Sequence, residues 1–173
     1  MAIELEDFSL RRIIPQFREF DSATKNNQER LAPYFWWSRT SNYQRFKFIL
    51  SGVLVEKLAR LLSDLPYNKK FIIRENGKFI GVIGLDFVST GAISSEIWMF
   101  LDSAYTHKNI ASDALKQIEN YARKKSVQSI RATTSPKNQR SKRLLAKNDY
   151  EPTYTDQDSI LWYKLLNTKV IEK

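Results

Sequence analysis

Cysteine is absent from the chain, which removes disulfide bonds, a thiol nucleophile and every cysteine-based zinc site at once. A reducing cytoplasm suits such a composition. With one histidine, His107, no multi-histidine metal centre can be assembled, and no metal is expected. Long apolar runs are missing too: no segment reaches the roughly 20 residues of a membrane-spanning helix. Met1 to Phe8 alternates apolar and acidic side chains, without the basic start and apolar stretch of a secretory signal, so neither export nor a membrane partner is expected. Repeats, low-complexity tracts and Pro/Gly-rich linkers are lacking, so residues 1–173 are expected to form one domain.

What is present is enough apolar material for a substantial core, with 42% hydrophobic and 13% aromatic residues in a chain of 173. The net charge of +9 predicts an anionic partner. The charge is concentrated: Gln128 to Lys147 carries Arg131, Lys137, Arg140, Lys142, Arg143 and Lys147 and no acidic residue. That segment is either a solvated face or a field that attracts a ligand.

Periodicity gives the order of elements. Phe8 to Ile14 is expected to be a short strand, and Pro15 to open a helix with Phe17 and Phe20 on its inner side. A short helix follows over Asn27 to Leu31, ending before Pro33. Ser41 and Gln44 have capping-box spacing, and Phe46, Ile49, Leu50, Val53, Leu54, Leu58, Leu61 and Leu62 recur at helical intervals up to about Asp64. Phe71–Glu75, Asn76-Gly77 and Lys78–Leu85 spell two strands around a tight turn.

Glu96–Leu101 is a further strand, followed by a polar loop and a helix carrying Ile110, Ala114, Leu115, Ile118, Tyr121 and Ala122 on one face. Strand, loop, helix is a phosphate-binding layout. Ser129–Thr133 is a strand, Asn138 caps a helix through Ala146, and strands at Tyr150–Thr155 and Ile160–Leu166 close the chain. The fold class is therefore α/β: a mixed, mostly antiparallel sheet with helices on both faces.

Three segments together resemble one family. Asn27-Gln28-Glu29-Arg30-Leu31-Ala32-Pro33-Tyr34-Phe35-Trp36-Trp37, then Phe79-Ile80-Gly81-Val82-Ile83-Gly84, then Pro136 to Lys147 with its Asn138, Ser141, Leu144 and Leu145, resemble the GNAT acetyltransferases, in particular the Rim-type (RimJ/RimL-like) ribosomal-protein branch. The resemblance implies the GNAT fold, acetyl-CoA as cosubstrate, and direct transfer of the acetyl group to a primary amine. In that family two sheet strands splay apart and the pantetheine arm bonds to exposed main chain, here the strand carrying Met99 and Leu101. The family loop pattern Gln/Arg-x-x-Gly-x-Gly/Ala appears as Thr106-His107-Lys108-Asn109-Ile110-Ala111, followed by Ser112, and only Ala111 fits outright. Asn tolerates left-handed backbone angles better than other non-glycine residues, so Asn109 is expected to keep the turn that aims N–H groups at the pyrophosphate. Asp149, standing where the family has a glycine after the last helix, points the same way. His107 and Lys108 are the candidate donors in place of the family's Gln/Arg.

The resemblance also implies the catalytic roles. Glu96 is the expected base, acting through a water, beside Trp98, where burial would favour a proton; an ordinary strand-end salt bridge is the other reading. Ser141 is the expected donor to the thiolate, unless its hydroxyl serves only the helix backbone. Asn138 matches a CoA-contacting Asn and also suits a helix cap. Of the run Tyr34-Phe35-Trp36-Trp37, some rings are expected in the core and some, with Trp98, on the acceptor side of the cleft.

The acceptor is expected to be a protein N-terminus or a small-molecule amine; the positive surface favours an acidic protein over a free polycation. A homodimer is compatible with all this. The alternative is a GNAT-shaped interaction module with weak or no CoA binding. Nucleic-acid binding is not expected, because no segment matches a recognised nucleic-acid motif.

Overall fold

The computed structural model describes residues 2–62, 68–88, 94–106 and 109–166. Seven strands form one sheet in the order β1-β2-β3-β4-β5-β7-β6. They are β1 Ile3–Asp7, β2 Lys69–Glu75, β3 Lys78–Val88, β4 Ser94–Leu101, β5 Ser129–Thr134, β6 Glu151–Thr155 and β7 Ile160–Leu165. Every pairing is antiparallel except β4 with β5, which is parallel. The helices are α1 Ile13–Asn26, α2 Gln28–Leu31, α3 Asn42–Leu62, α4 Ile110–Lys124 and α5 Gln139–Lys147. A parallel pair cannot be joined by a tight turn, and α4 supplies the crossover between β4 and β5.

The first strand lies earlier than its sequence suggested. The alternating Ile3-Glu4-Leu5-Glu6-Asp7 pairs with β2, whereas Leu10–Arg12 forms a 3-10 turn that runs into α1 at Ile13. Pro15 therefore sits inside the first helical turn, where its missing N–H would have had no intrahelical partner. The apolar Leu10, Ile13 and Ile14 belong to the turn and helix, so the β-branching of the two isoleucines misled the periodicity.

Because strand residues alternate sides, the sheet builds two cores. One, holding Ile73, Ile83, Leu85, Ile97 and Ile130, is closed by Ile110, Leu115 and Ile118 of α4. The other, holding Ile72, Val82 and Phe100, is closed by Phe20 of α1, Ile49 and Val53 of α3, and Trp37. The β2–β3 turn is made by Asn76 (φ 50°) and Gly77 (φ 74°), the pair of positive φ values a two-residue hairpin requires. The ends of α4 and β7 are tied together by buried Glu119, which accepts from Lys164 Nζ at 2.9 Å and from Tyr150 Oη at 3.1 Å. Burial, with Glu119 beside it, pushes the Tyr150 phenol well above its usual range.

Candidate active site

The site begins where the sheet divides. β4 and β5 pair only over Ser94↔Ser129, Ser95↔Ile130 and Glu96↔Arg131. Beyond that point β4 stays with β3 and β5 stays with β7, so a fork opens whose vertex is Glu96/Arg131. The N–H of Asp102 donates to Ile80 O on β3, so by antiparallel alternation the main-chain groups of Ile97, Met99 and Leu101 face the fork. Met99 packs against the α4 core and Leu101 is buried, so these two reach the fork through backbone. Arg30 of α2 donates through Nη2 to Leu101 O and to Asn27 Oδ1. Burial and the nearby positive charge of Arg140 both weaken its hold on its proton, while Asp102 opposes them. The fork mouth is thus flanked by two guanidinium groups.

The loop after β4 ends at Asn109, whose φ of 58° and ψ of 1° place it in the left-handed region as the N-cap of α4. The turn expected of this glycine-poor loop is therefore present at Asn109, and Asp149 (φ 62°) likewise takes left-handed angles after α5. Lys147 Nζ donates to Asn109 Oδ1 at 2.9 Å, which ties the turn to α5. Helix geometry leaves the N–H groups of Ile110, Ala111 and Ser112 without intrahelical acceptors, at the positive end of the α4 dipole. Ile110 and Ser112 turn their side chains inward: Ile110 is in the core, and Ser112 Oγ accepts from Asn148 Nδ2 at 3.0 Å. Thr106 Oγ1 donates to Ser103 O at 3.0 Å, a turn-closing bond. His107 and Lys108 lie outside the described residues.

Across the fork, Asn138 caps α5 by accepting from the Ser141 N–H at 3.2 Å. Ser141 is half-buried, one turn into the helix.

Glu96 is committed to β5. It accepts from Arg131 Nη2 at 3.2 Å and Nε at 3.3 Å, and from Thr133 Oγ1 at 3.0 Å. Trp98, two residues on and on the same face, is hydrogen-bonded across to β3: its Nε1 donates to Asp86 Oδ2 at 3.0 Å. Asp86 is the cross-strand partner of Glu96 on β3. Burial pushes the Asp86 carboxyl above the ordinary aspartate range; the charge of Lys70 and the Trp98 bond oppose that shift, and the charge of Glu96 adds to it. Gly84 makes the arrangement possible, because a Cβ there would stand 2.2 Å from Trp98 Cε2. The indole crosses β3 at Gly84, one of the two positions in that strand without a side chain.

Asp86 is the residue that sequence reasoning passed over. Its signal was available: a lone carboxylate between Leu85 and Phe87 in an otherwise apolar strand needs a partner or a purpose.

The aromatic run divides between inside and outside, as expected of adjacent residues. Trp37 is 3% exposed and packs on Phe20 (5.2 Å), Phe35 (5.0 Å) and Phe100 (5.6 Å), so its ring is core and presents no open surface to an acceptor. Trp36, 65% exposed, edges Phe48 at 5.8 Å and lines an open groove on α3 with Gln44, Lys47 and Leu54, none of them at the fork. Tyr34 is exposed. Of the four candidate acceptor rings, Trp98 is hydrogen-bonded to Asp86, the cross-strand partner of the vertex residue Glu96.

Comparison with known proteins agrees with this geometry. Residues 10–151 match a family described as acetyltransferase (GNAT) domain. No curated protein matches the chain. The structure is similar to RimL, a ribosomal L7/L12 alpha-N-protein acetyltransferase in complex with coenzyme A, with a TM-score of 0.76 and 17% identity over 95% of this chain and 94% of that one. It is also similar to the microcin C7 self-immunity acetyltransferase MccE in complex with acetyl-CoA and AMP (TM-score 0.77, 14% identity, 94% and 92% covered). RimJ of Mycobacterium smegmatis in complex with CoA-disulfide gives a TM-score of 0.72 at 19% identity, with 94% and 81% covered. At these identities the likeness is one of fold.

Proposed function

We propose, since this chain belongs to the GNAT acetyltransferase family, that it transfers an acetyl group from acetyl-CoA directly to a primary amine. The observation that carries this reading is the fork between β4 and β5 with the left-handed Asn109 turn at its mouth. The backbone of Ile97, Met99 and Leu101 would hold the pantetheine arm, and the α4 first-turn amides, after Asn109, the pyrophosphate. Binding through main chain explains how the site survives the loss of loop glycine: the turn, not the residue type, presents the amides. Acetyl-CoA supplies the activated acyl group; the chain supplies position, charge and proton handling.

Within this reading Ser141 donates a proton to the departing thiolate, and Asn138 holds the helix end that presents it. Glu96 at the vertex keeps a negative charge beside the attacking amine, while its bonds to Arg131 and Thr133 fix its position. The acceptor is a protein N-terminal amine, as in the ribosomal-protein enzymes with this fold, or a small-molecule amine. Arg30 and Arg140 at the mouth favour an acceptor that carries acidic groups near its amine. Site residues of the described chain are thus Glu96, Trp98, Asn109, Asn138 and Ser141, and His107 and Lys108 are proposed to add phosphate contacts.

The test is direct. Calorimetry with acetyl-CoA is expected to give micromolar binding, and release of CoA thiol in the presence of an amine is expected to be readable by thiol-reactive dye, because the protein itself has no cysteine. Absence of binding at millimolar acetyl-CoA would favour the interaction-module alternative.

A further inference from the structure

Resting on the transferase reading, we propose that Asp86, rather than Glu96, takes the proton from the acceptor ammonium. Four observations converge on it. Glu96 is held by Arg131 and Thr133 in three hydrogen bonds, which take three of its roughly four acceptor sites, and its charge is matched by a guanidinium. Asp86, its direct cross-strand neighbour and so about 5 Å away between Cβ atoms, accepts a hydrogen bond from Trp98 Nε1 at Oδ2. The residue is half-buried, so it keeps some contact with solvent. The site around it is built: Gly84 clears the floor for Trp98, whose indole is walled by Phe35 (6.3 Å), Phe48 (6.2 Å) and Trp37 (6.4 Å).

An ammonium reaching Asp86 meets a carboxylate beside the Trp98 indole, surroundings that attract a cation. The charged groups facing Asp86 among the described residues are Lys70 from β2 and Glu96 from β4, with Arg131 of β5 behind Glu96. Lys70 Nζ also lies 4.9 Å from the Phe48 ring centre. Burial and the Glu96 charge raise the affinity of Asp86 for a proton, which is the condition a base needs to accept one near neutral pH. Glu96 then acts as a positioning residue, setting that affinity through its charge.

The ammonium gives one proton to the Asp86 carboxylate, and the amine nitrogen so exposed bonds to the thioester carbonyl carbon. The carbon–sulfur bond breaks, its electron pair leaves on the CoA sulfur, and a second nitrogen proton is delivered there by way of Ser141. The third stays on the amide, and Asp86 passes its proton to solvent.

The experiment uses the whole chain with acetyl-CoA, a hexapeptide with a free N-terminal serine and n-butylamine as probes, and the variants Asp86→Asn and Glu96→Gln. Asp86→Asn is expected to lose about 100-fold in kcat and to lose the acid limb of the kcat/KM profile, with acetyl-CoA affinity within twofold of wild type. Glu96→Gln is expected to lose less than 10-fold and to keep the limb, moved to lower pH. An acid limb that survives in Asp86→Asn and vanishes in Glu96→Gln overturns the proposal. A second readout needs no turnover: the Trp98 indole N–H resonance is expected to titrate above the ordinary aspartate range and to shift on adding n-butylammonium, and to do neither in Asp86→Asn. A Trp98 resonance indifferent to pH and to the amine overturns the proposal while leaving acetyl-CoA binding, and with it the transferase reading, intact.

Discussion

Replacing Asn109 tests whether backbone shape alone holds the cofactor loop. At φ 58° a residue with a Cβ gives up about 1–2 kcal/mol relative to the right-handed region, glycine almost nothing, and Asn falls between. Asn109→Gly relieves that cost and removes one exposed hydrogen bond from Lys147, changes of opposite sign that leave acetyl-CoA affinity within about threefold of wild type. Asn109→Val puts a β-branched side chain at the same angles and costs about 2 kcal/mol more. If the turn keeps its shape, the whole cost appears in folding, a fall in Tm of about 4–8 °C for a chain of this size. If the turn relaxes, it appears in binding, a loss of roughly 30-fold at 1.4 kcal/mol per tenfold. Calorimetry of unfolding and of acetyl-CoA binding on the same variants measures both parts, and their sum is the predicted quantity. Lys147→Ala controls for the side-chain bond, and a change above about 0.5 kcal/mol there would assign the effect to that contact. The reasoning is refuted if Asn109→Val matches wild type in both Tm and affinity, or if Asn109→Gly binds acetyl-CoA more weakly than Asn109→Val.

Three further outcomes follow from the same structure. Gly84→Ala places a methyl group where the Trp98 indole lies, so the ring must move off Asp86; the indole N–H resonance is expected to shift and turnover to fall about tenfold while the chain stays folded by circular dichroism. Asp86→Asn is expected to raise Tm by a few degrees at pH 7.5, discounted for partial exposure, and to leave it unchanged at pH 3. The sign follows from a folded-state pKa above the unfolded one: the folded chain holds the extra proton between the two values, so stability falls as pH rises through that window and the neutral amide escapes the loss. For Glu6 burial works to raise the pKa, but the hydrogen bond and charge of Arg74, then Gln16 and Arg12, outweigh it and hold the carboxyl below its usual range. That stability is present above about pH 4.3 and is lost as pH falls through the depressed value. Arg74→Met, which also strips Glu19 of its partner, is therefore expected to cost about 2 kcal/mol at pH 7 by urea unfolding and much less near pH 2.5.

Much of the architecture was legible because it is locally encoded. Asn76-Gly77 between apolar runs fixed a hairpin, the 3.6-residue spacing from Ile110 to Ala122 fixed α4, and Asn109 and Asp149 disclosed left-handed turns by residue type. The first strand was missed because Ile3–Asp7 alternates with acidic residues whose partners, such as Arg74 for Glu6, come from 68 positions away. Their burial is a property of the sheet, not of the segment. The division of labour between Glu96 and Asp86 was equally non-local. A motif places a carboxylate on a strand, but only the register shows that Arg131 and Thr133 claim Glu96 and that a bare Gly84 lets Trp98 reach Asp86. Side-chain competition of that kind has no sequence period to betray it.

The account stands on the fork between β4 and β5 as the seat of acetyl-CoA. Backbone amide chemical shifts of 15N-labelled protein, recorded before and after saturating acetyl-CoA, address it residue by residue. Large shifts are predicted at Ile97, Met99 and Leu101 and at Ile110 to Ser112, with Ile72 and Val82 in the opposite core unmoved. Unchanged amides along β4 at millimolar acetyl-CoA would contradict the account.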